Sequence, residues 1–252
     1  AGLVFGGLPT GGDTEAYNGS SWTELNNMAT SVYGRGGAGN QTAALAFGGN
    51  PASTNTETWN GTSWTEVNNL GTGRYLIIGT GSQTSALGSS GYSSPGRQLN
   101  ESWNGTSWTE LADLNTAARD RGGVGTDNTS AIVFGGTINP GARSGITESW
   151  NGTSWTEVGD LNTARSGVRG GGNQTQAVAF AGSTGSNSNA TEQWNGSSWT
   201  TSPVSMSTAR NSIGGLGTAG LALAAGGYTT TFVATTEEWV GAGTFVKTFS
   251  DA

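Results

Sequence analysis

The chain has no cysteine and no histidine among its 252 residues. Disulfide staples, thiolate or imidazole zinc sites, cysteine nucleophiles and serine–histidine–aspartate catalysis are therefore excluded within it. Charge is also scarce, at 11% of residues. Ten scattered Lys and Arg against 17 Asp and Glu give a net charge of -7 and a pI near 4.5. No basic stripe exists to neutralise phosphates, so nucleic acid is not an expected partner. No apolar run approaches the roughly 20 residues that span a bilayer, and membrane insertion is not expected. The opening "AGLVFGG" has neither the basic segment nor the long apolar segment of a signal peptide. The absence of an initiator Met points to a processed chain or a piece of a longer one.

Two residue types are plentiful. The 45 glycines, set among polar residues without a period, would suggest disorder. The ten tryptophans argue for a packed fold instead, because each can bury a large apolar area.

The tryptophans are periodic. The phrases "TETWNGTSWTEV", "NESWNGTSWTEL" and "TESWNGTSWTEV" repeat one pattern, marked by Glu15, Glu57, Glu101, Glu148, Glu192 and Glu237 at spacings of 42, 44, 47, 44 and 45 residues. An aromatic follows each Glu by two: Tyr17, Trp59, Trp103, Trp150, Trp194 and Trp239. Five further on stand Trp22, Trp64, Trp108, Trp155 and Trp199. Upstream, "FGG" or a relative of it ends an apolar stretch, and a glycine-dense stretch such as "GRGGAG" or "GVRGGG" precedes that. The repeat unit thus predicts four short strands, with six second strands but only five clear first strands along the chain. The Asn-Gly of "WNGTSW" predicts a type I′ hairpin with positive φ at both residues. A four-stranded unit repeated every 40–50 residues is the signature of a propeller blade. Glycine in the inner strands lets neighbouring backbones approach, and tryptophan further out fills the gap between splayed blades.

The glycine pair after the second strand, the Glu-x-aromatic of the third, the Trp of the fourth and an Arg opening the next first strand resemble kelch repeats. More narrowly, "TEEW", "WNGTSWT", "NTAR" and "QTAALAFGG" are similar to the kelch-like propellers that marine bacteriophages encode, often in virion proteins. The expected fold is an all-β, six-bladed kelch-like propeller of four-stranded antiparallel blades in a single domain. Its blades fall at about 1–28, 32–70, 74–114, 119–161, 165–206 and 210–252. The chain enters on a second strand, so the first blade is expected to be three-stranded, or completed by an upstream segment or a partner. The enzymatic kelch members of the galactose oxidase type hold copper through histidines and a cysteine-linked tyrosine. This chain has neither histidine nor cysteine, so no catalytic residue, metal or cofactor is expected.

Repeated residues obey the symmetry that a catalytic site would break. Trp22, Trp64, Trp108, Trp155 and Trp199, with Glu57, Glu101, Glu148 and Glu192, are therefore read as structural. Arg74, Arg119, Arg165 and Arg210 share a further register, with Val32 in the remaining copy. Each is expected to fork onto a Glu or onto carbonyls of an adjoining blade. The Asn-Gly-Ser/Thr phrases at Asn18, Asn60, Asn104, Asn151 and Asn195 are formal glycosylation sequons, better explained as turns.

Variation concentrates between the second and third strands, in "LPTGGD", "NPASTN", "YSSPGRQLN", "TINPGARSGI", "STGSNSNA" and "YTTTFVAT". Four of the five prolines, Pro9, Pro51, Pro95 and Pro140, lie there and reduce loop freedom before any contact. Tyr92, Arg97, Asn139 and Arg143, in the two longest loops, are the candidate ligand-binding residues, suited to a sugar or an anionic polymer. The resemblance implies a non-enzymatic virion component of a phage, on the particle surface, contacting a host surface glycan, a receptor or other virion proteins. A purely architectural module and a propeller glycosidase are the alternatives.

Overall fold

The computed structural model describes residues 1–93 and 98–241, and the backbone of Phe245–Phe249. Every blade is an antiparallel meander whose strands lie in chain order. Blade 1 has three strands, Gly2–Phe5, Thr14–Tyr17 and Trp22–Glu24. Four strands form each later blade. Blade 2 runs Gly36–Asn40, Ala43–Phe47, Thr56–Trp59 and Trp64–Val67. Blade 3 runs Ile78–Gly81, Ala86–Ser89, Asn100–Trp103 and Trp108–Glu110. Gly122–Asp127, Ser130–Phe134, Thr147–Trp150 and Trp155–Glu157 make blade 4. Arg169–Gly172, Ala177–Phe180, Thr191–Trp194 and Trp199–Thr201 make blade 5. Blade 6 comprises Gly214–Gly217, Leu221–Ala225, Thr236–Val240 and Phe245–Phe249.

The chain divides into two compact units. One comprises Ala1–Arg119, Thr126–Thr129 and Asn151–Trp155; the other comprises Asp120–Gly125, Ser130–Trp150 and Thr156–Ala252.

Within the first unit, blades stack through the residues that the repeat dictates. Phe5 meets Trp64 of the next blade edge-on at 4.9 Å, and Phe47 meets Trp108 at 4.7 Å. Each of those tryptophans donates its indole N–H to the preceding blade, Trp64 to Thr14 Oγ1 at 2.9 Å and Trp108 to Thr56 Oγ1 at 3.0 Å. The tryptophan therefore fills the inter-blade gap and also satisfies its own polar edge there. Thr56 is fully buried for the same reason, although it stands on the face of its strand opposite Glu57 and Trp59. Both faces of the third strand are covered, so its burial does not alternate. Inner strands touch backbone to backbone. A Cβ added at Gly79 would lie 2.4 Å from the carbonyl oxygen of Gly37 in the preceding inner strand, so no side chain fits.

The second unit repeats these devices. Phe134 meets Trp199 at 4.9 Å, and Trp199 donates to Thr147 Oγ1 at 3.0 Å. Gln174, in a first-to-second turn, reaches back to the Trp150 carbonyl at 2.6 Å and accepts from Trp194 through its own carbonyl at 2.8 Å. Ile132, Phe134, Leu161, Val168, Trp194 and Trp199 form one apolar cluster there.

The "NG" hairpins depart from the expected turn. Positive φ falls on glycine alone, at Gly19, Gly61, Gly105, Gly152 and Gly196. Asn60 N–H donates to the Ser63 carbonyl, so Gly61 and Thr62 are the central pair, and only the first of them is left-handed where a type I′ turn needs both. The Asn side chain caps the turn instead of forming its centre. Asn60 Oδ1 accepts the N–H groups of Thr62 and Ser63, both at 2.9 Å. An Asx cap of this kind needs Asn outside the turn centre.

Candidate functional site

Most charged side chains of the repeat are committed to holding a blade together. In blades 2 to 6 the third-strand Glu is buried and ion-paired with an Arg of its own blade. The pairs are Arg35–Glu57 at 3.3 Å, Arg74–Glu101 at 2.8 Å, Arg121–Glu148 at 2.9 Å, Arg165–Glu192 at 3.1 Å and Arg210–Glu237 at 2.6 Å, all at most 4% exposed. Each guanidinium also binds carbonyls. Arg74 donates to Ser90 and Leu99 at 3.1 and 2.8 Å, and Arg121 donates to Gly135 and Ile146 at 3.2 and 3.1 Å. Those acceptors occupy equivalent places, just after the second strand and just before the third. The Glu carboxylate in turn accepts backbone N–H groups from the segment leading into its blade: Ala29 for Glu57, Gly71 for Glu101, Asn162 for Glu192 and Ser207 for Glu237. One clamp thus fixes lead-in, second strand and third strand together. Burial pulls the pKa of each of these five guanidinium groups down, and the paired Glu pushes it back up. Glu15 of blade 1 is exposed, and that blade has no lead-in among the described residues.

The clamp corrects the arginine register. Arg74, Arg165 and Arg210 stand four residues before their inner strands, whereas Arg35 and Arg121 stand one residue before theirs. Where the earlier position is Val32 or Ala118, the later one is Arg; where the earlier is Arg, the later is Ile77, Val168 or Ile213. Arg119 is therefore not a clamp residue. It occupies the neighbouring position, half-exposed, with its guanidinium 5.1 Å from the centre of the Tyr92 ring. Arg121 takes the role expected of it. The partners are also within the blade, not across an adjoining one.

That neighbouring position is the variable one. It holds Tyr33, Tyr75, Arg119, Ser166 and Asn211 in blades 2 to 6. Its backbone pairs with the loop between second and third strands, as Tyr33 with Asn50, Tyr75 with Tyr92, Ser166 with Ser183 and Asn211 with Tyr228. The residue after it is left-handed whatever its type, with φ of 70° at Gly34, 52° at Leu76, 56° at Asp120, 63° at Gly167 and 54° at Ser212. Non-glycine residues held there carry backbone strain, which a surrounding structure must over-determine. Lead-in and loop together make a small arch on each blade.

In the first unit the arches present aromatic groups. Tyr33 and Asn50 hydrogen-bond through their side chains. Tyr75 and Tyr92 meet in a tilted contact, with centroids 5.1 Å apart and planes at 56°, and Arg119 lies over the Tyr92 ring. Tyr92, a candidate from sequence, is thus half-buried in this group, while Arg97 lies outside the described residues. In the second unit Asn139 is exposed, and Arg143 of the same loop is half-buried, donating to the Gly141 carbonyl at 3.2 Å. The arches of blades 5 and 6 carry Asn187, Asn211, Tyr228 and Phe232, which sequence reasoning did not single out. A signal was available for three of them: Asn211 is the changing residue immediately after a register arginine, and Tyr228 and Phe232 are the aromatic pair in "YTTTFVAT".

Six antiparallel blades with an inner strand of glycines and a buried clamp in each of the last five define the chain as a six-bladed β-propeller. A solved structure titled "Structure of YjhT" is similar to it at a TM-score of 0.74, covering 93% of this chain and 90% of that one at 12% identity. At that identity the likeness shows the fold. No family model and no curated protein matches the chain.

Proposed function

We propose that the chain is a non-enzymatic recognition propeller of a phage virion, part of a tail, fibre or capsid decoration, that binds a host surface glycan or receptor through its arches. One observation carries the recognition reading. The third-strand Glu of blades 2 to 6 and one Arg of each of those blades are taken up by buried clamps, whereas the repeated fourth-strand Glu66, Glu110 and Glu157 stay exposed. Apart from the repeated Asn caps of the hairpins, the arches put aromatic, amide and guanidinium groups at positions that differ between blades: Tyr33, Tyr75, Arg119 and Asn211. Loops positioned by a rigid scaffold are where binding groups usually sit. The virion setting rests on the resemblance to phage-encoded kelch-like propellers.

The test is adsorption of the pure protein to host cells and to a glycan array. Replacing residues 183–190 and 228–235 by the blade 2 loop "NPASTN" is expected to abolish binding without unfolding the chain. Binding that survives replacement of every second-to-third loop would overturn the reading, as would hydrolysis of surface polysaccharide by the pure protein.

A second reading, a purely architectural module joined to other virion proteins, is favoured by Leu221. This residue starts the second strand of blade 6 and is 66% exposed. An apolar side chain there suits a protein contact away from the arches. Leu221→Lys would then block assembly while leaving glycan binding intact.

A further inference from the structure

The arch of blade 6 holds its aromatic side chains outward while its backbone is tied down from behind. Phe232 is 56% exposed and Tyr228 38% exposed, with ring centroids 5.4 Å apart and planes at 68°. Looseness does not account for that exposure. Tyr228 and Asn211 exchange both backbone bonds, at 2.8 and 3.1 Å, and Val233 N–H donates to the Gly227 carbonyl at 2.9 Å. Asn187, from the blade 5 loop, donates through Nδ2 to the carbonyls of Tyr228 and Thr229 at 3.1 and 2.8 Å. Its Oδ1 accepts from Asn211 Nδ2 at 2.5 Å. The two amides are thus the frame of an open, two-walled aromatic corner. A corner ordered in advance lowers the entropy lost when something enters it.

Its chemical surroundings select the occupant. Thr229 and Thr231 border the rings, and the Thr229 hydroxyl donates to the Thr231 carbonyl at 3.3 Å, leaving oxygen lone pairs at the rim. On the far side of Asn211, the turn at Gly167 leads to Asp120, whose carbonyl accepts the Gly167 N–H at 2.9 Å. Asp120 itself stands 3.6 Å from Arg169, both about a quarter exposed. The charges of Asp120 and Arg169, the ion pair beyond Asn211, offset each other, and the chain as a whole is acidic. Neither attracts an anionic polymer. Apolar ring faces rimmed by hydroxyl and carbonyl groups match a pyranose, which has an apolar face of C–H groups and a polar edge of hydroxyls.

We infer that the Tyr228–Phe232 corner of blade 6 is a binding subsite for a neutral saccharide, its sugar ring lying on Phe232. This deepens the glycan-recognition reading and rests on it. The probes are chitotetraose, cellotetraose and maltotetraose, with an oligogalacturonate as the anionic comparison, followed by saturation-transfer NMR and titration calorimetry. At least one neutral tetramer is expected to bind with Kd near or below about 1 mM, and the oligogalacturonate more weakly. Phe232→Ala should weaken that binding at least about tenfold, a loss typical of one aromatic contact. Phe232→Tyr should retain it, and neither variant should move the melting midpoint. No binding by any neutral tetramer, unchanged affinity in Phe232→Ala, or preference for the anionic oligomer would overturn the proposal. Host-cell adsorption that is lost on loop replacement but kept in Phe232→Ala would overturn this subsite while leaving the broader recognition reading in place.

Discussion

Arg119 and Arg121 are two residues apart and meet opposite conditions. Arg121 is wholly buried, paired with Glu148 and bonded to two carbonyls. Arg119 is half-exposed over the face of Tyr92. A guanidinium must reach one place in each of blades 2 to 6, and either of two positions can supply it. The residue just after the earlier of those positions is released from that duty and differs between blades. Burial thus separates the groups that hold a blade from the groups available to a ligand.

Removing a clamp should have the largest effect. Arg121→Ala leaves Glu148 buried without its cation and should destabilise by about 3–5 kcal/mol in denaturant unfolding. Arg119→Ala should lose no more than about 1 kcal/mol, the value of an exposed cation–π contact. Equal losses would erase the distinction between the two arginines. Next comes the inner strand, which like Arg121 belongs to the buried frame. Gly79→Ala sets a methyl against the backbone of Gly37 and should lower stability by about 1–3 kcal/mol through overpacking. Differential scanning calorimetry would show it, and an unchanged midpoint would mean that the strands are not in contact. A smaller effect is expected at the hairpins. Asn195→Ala removes an acceptor for the N–H groups of Ser197 and Ser198. About 1 kcal/mol should be lost, with Asn195→Asp retaining most of it. Smallest of all is Phe232→Ala, which should leave stability within about 0.5 kcal/mol, as for an exposed side chain without structural duty.

Much of the fold is legible because the blade writes itself into the sequence as a period. Trp59 and Trp64, five residues apart, imply a hairpin, and the glycines of "GRGGAG" imply a crowded inner strand; both follow from local spacing and side-chain volume. The clamp is half legible. A Glu and an Arg in equally repeated registers suggest a pair, but a count along the chain cannot see which arginine reaches the Glu. Blade 4 has Ala118 at the position four before its inner strand, and only the strand pairing shows that Arg121 ends at the same acceptors as Arg74. The turn type is ambiguous in sequence because Asn-Gly serves either as the centre of a type I′ turn or as a cap followed by a left-handed glycine. Choosing between them requires knowing which residues close the ladder. The surface is least legible. Tyr75 packs against Tyr92, and Asn187 ties the arch that carries Tyr228; each is a contact between segments apart in sequence, which no local pattern announces.

If a clamp is a place, filled from whichever of two positions holds the arginine, then the arginine can be moved. In blade 5 the exchange Arg165→Val with Val168→Arg rewrites the lead-in on the pattern of Val32 and Arg35. Measured by urea unfolding beside Arg165→Val alone, the double variant should recover about 2 kcal/mol or more of what the single change loses. A double variant no more stable than the single one would mean that the guanidinium cannot reach Glu192 from the second position, and the clamp would not be the organising unit of the blade.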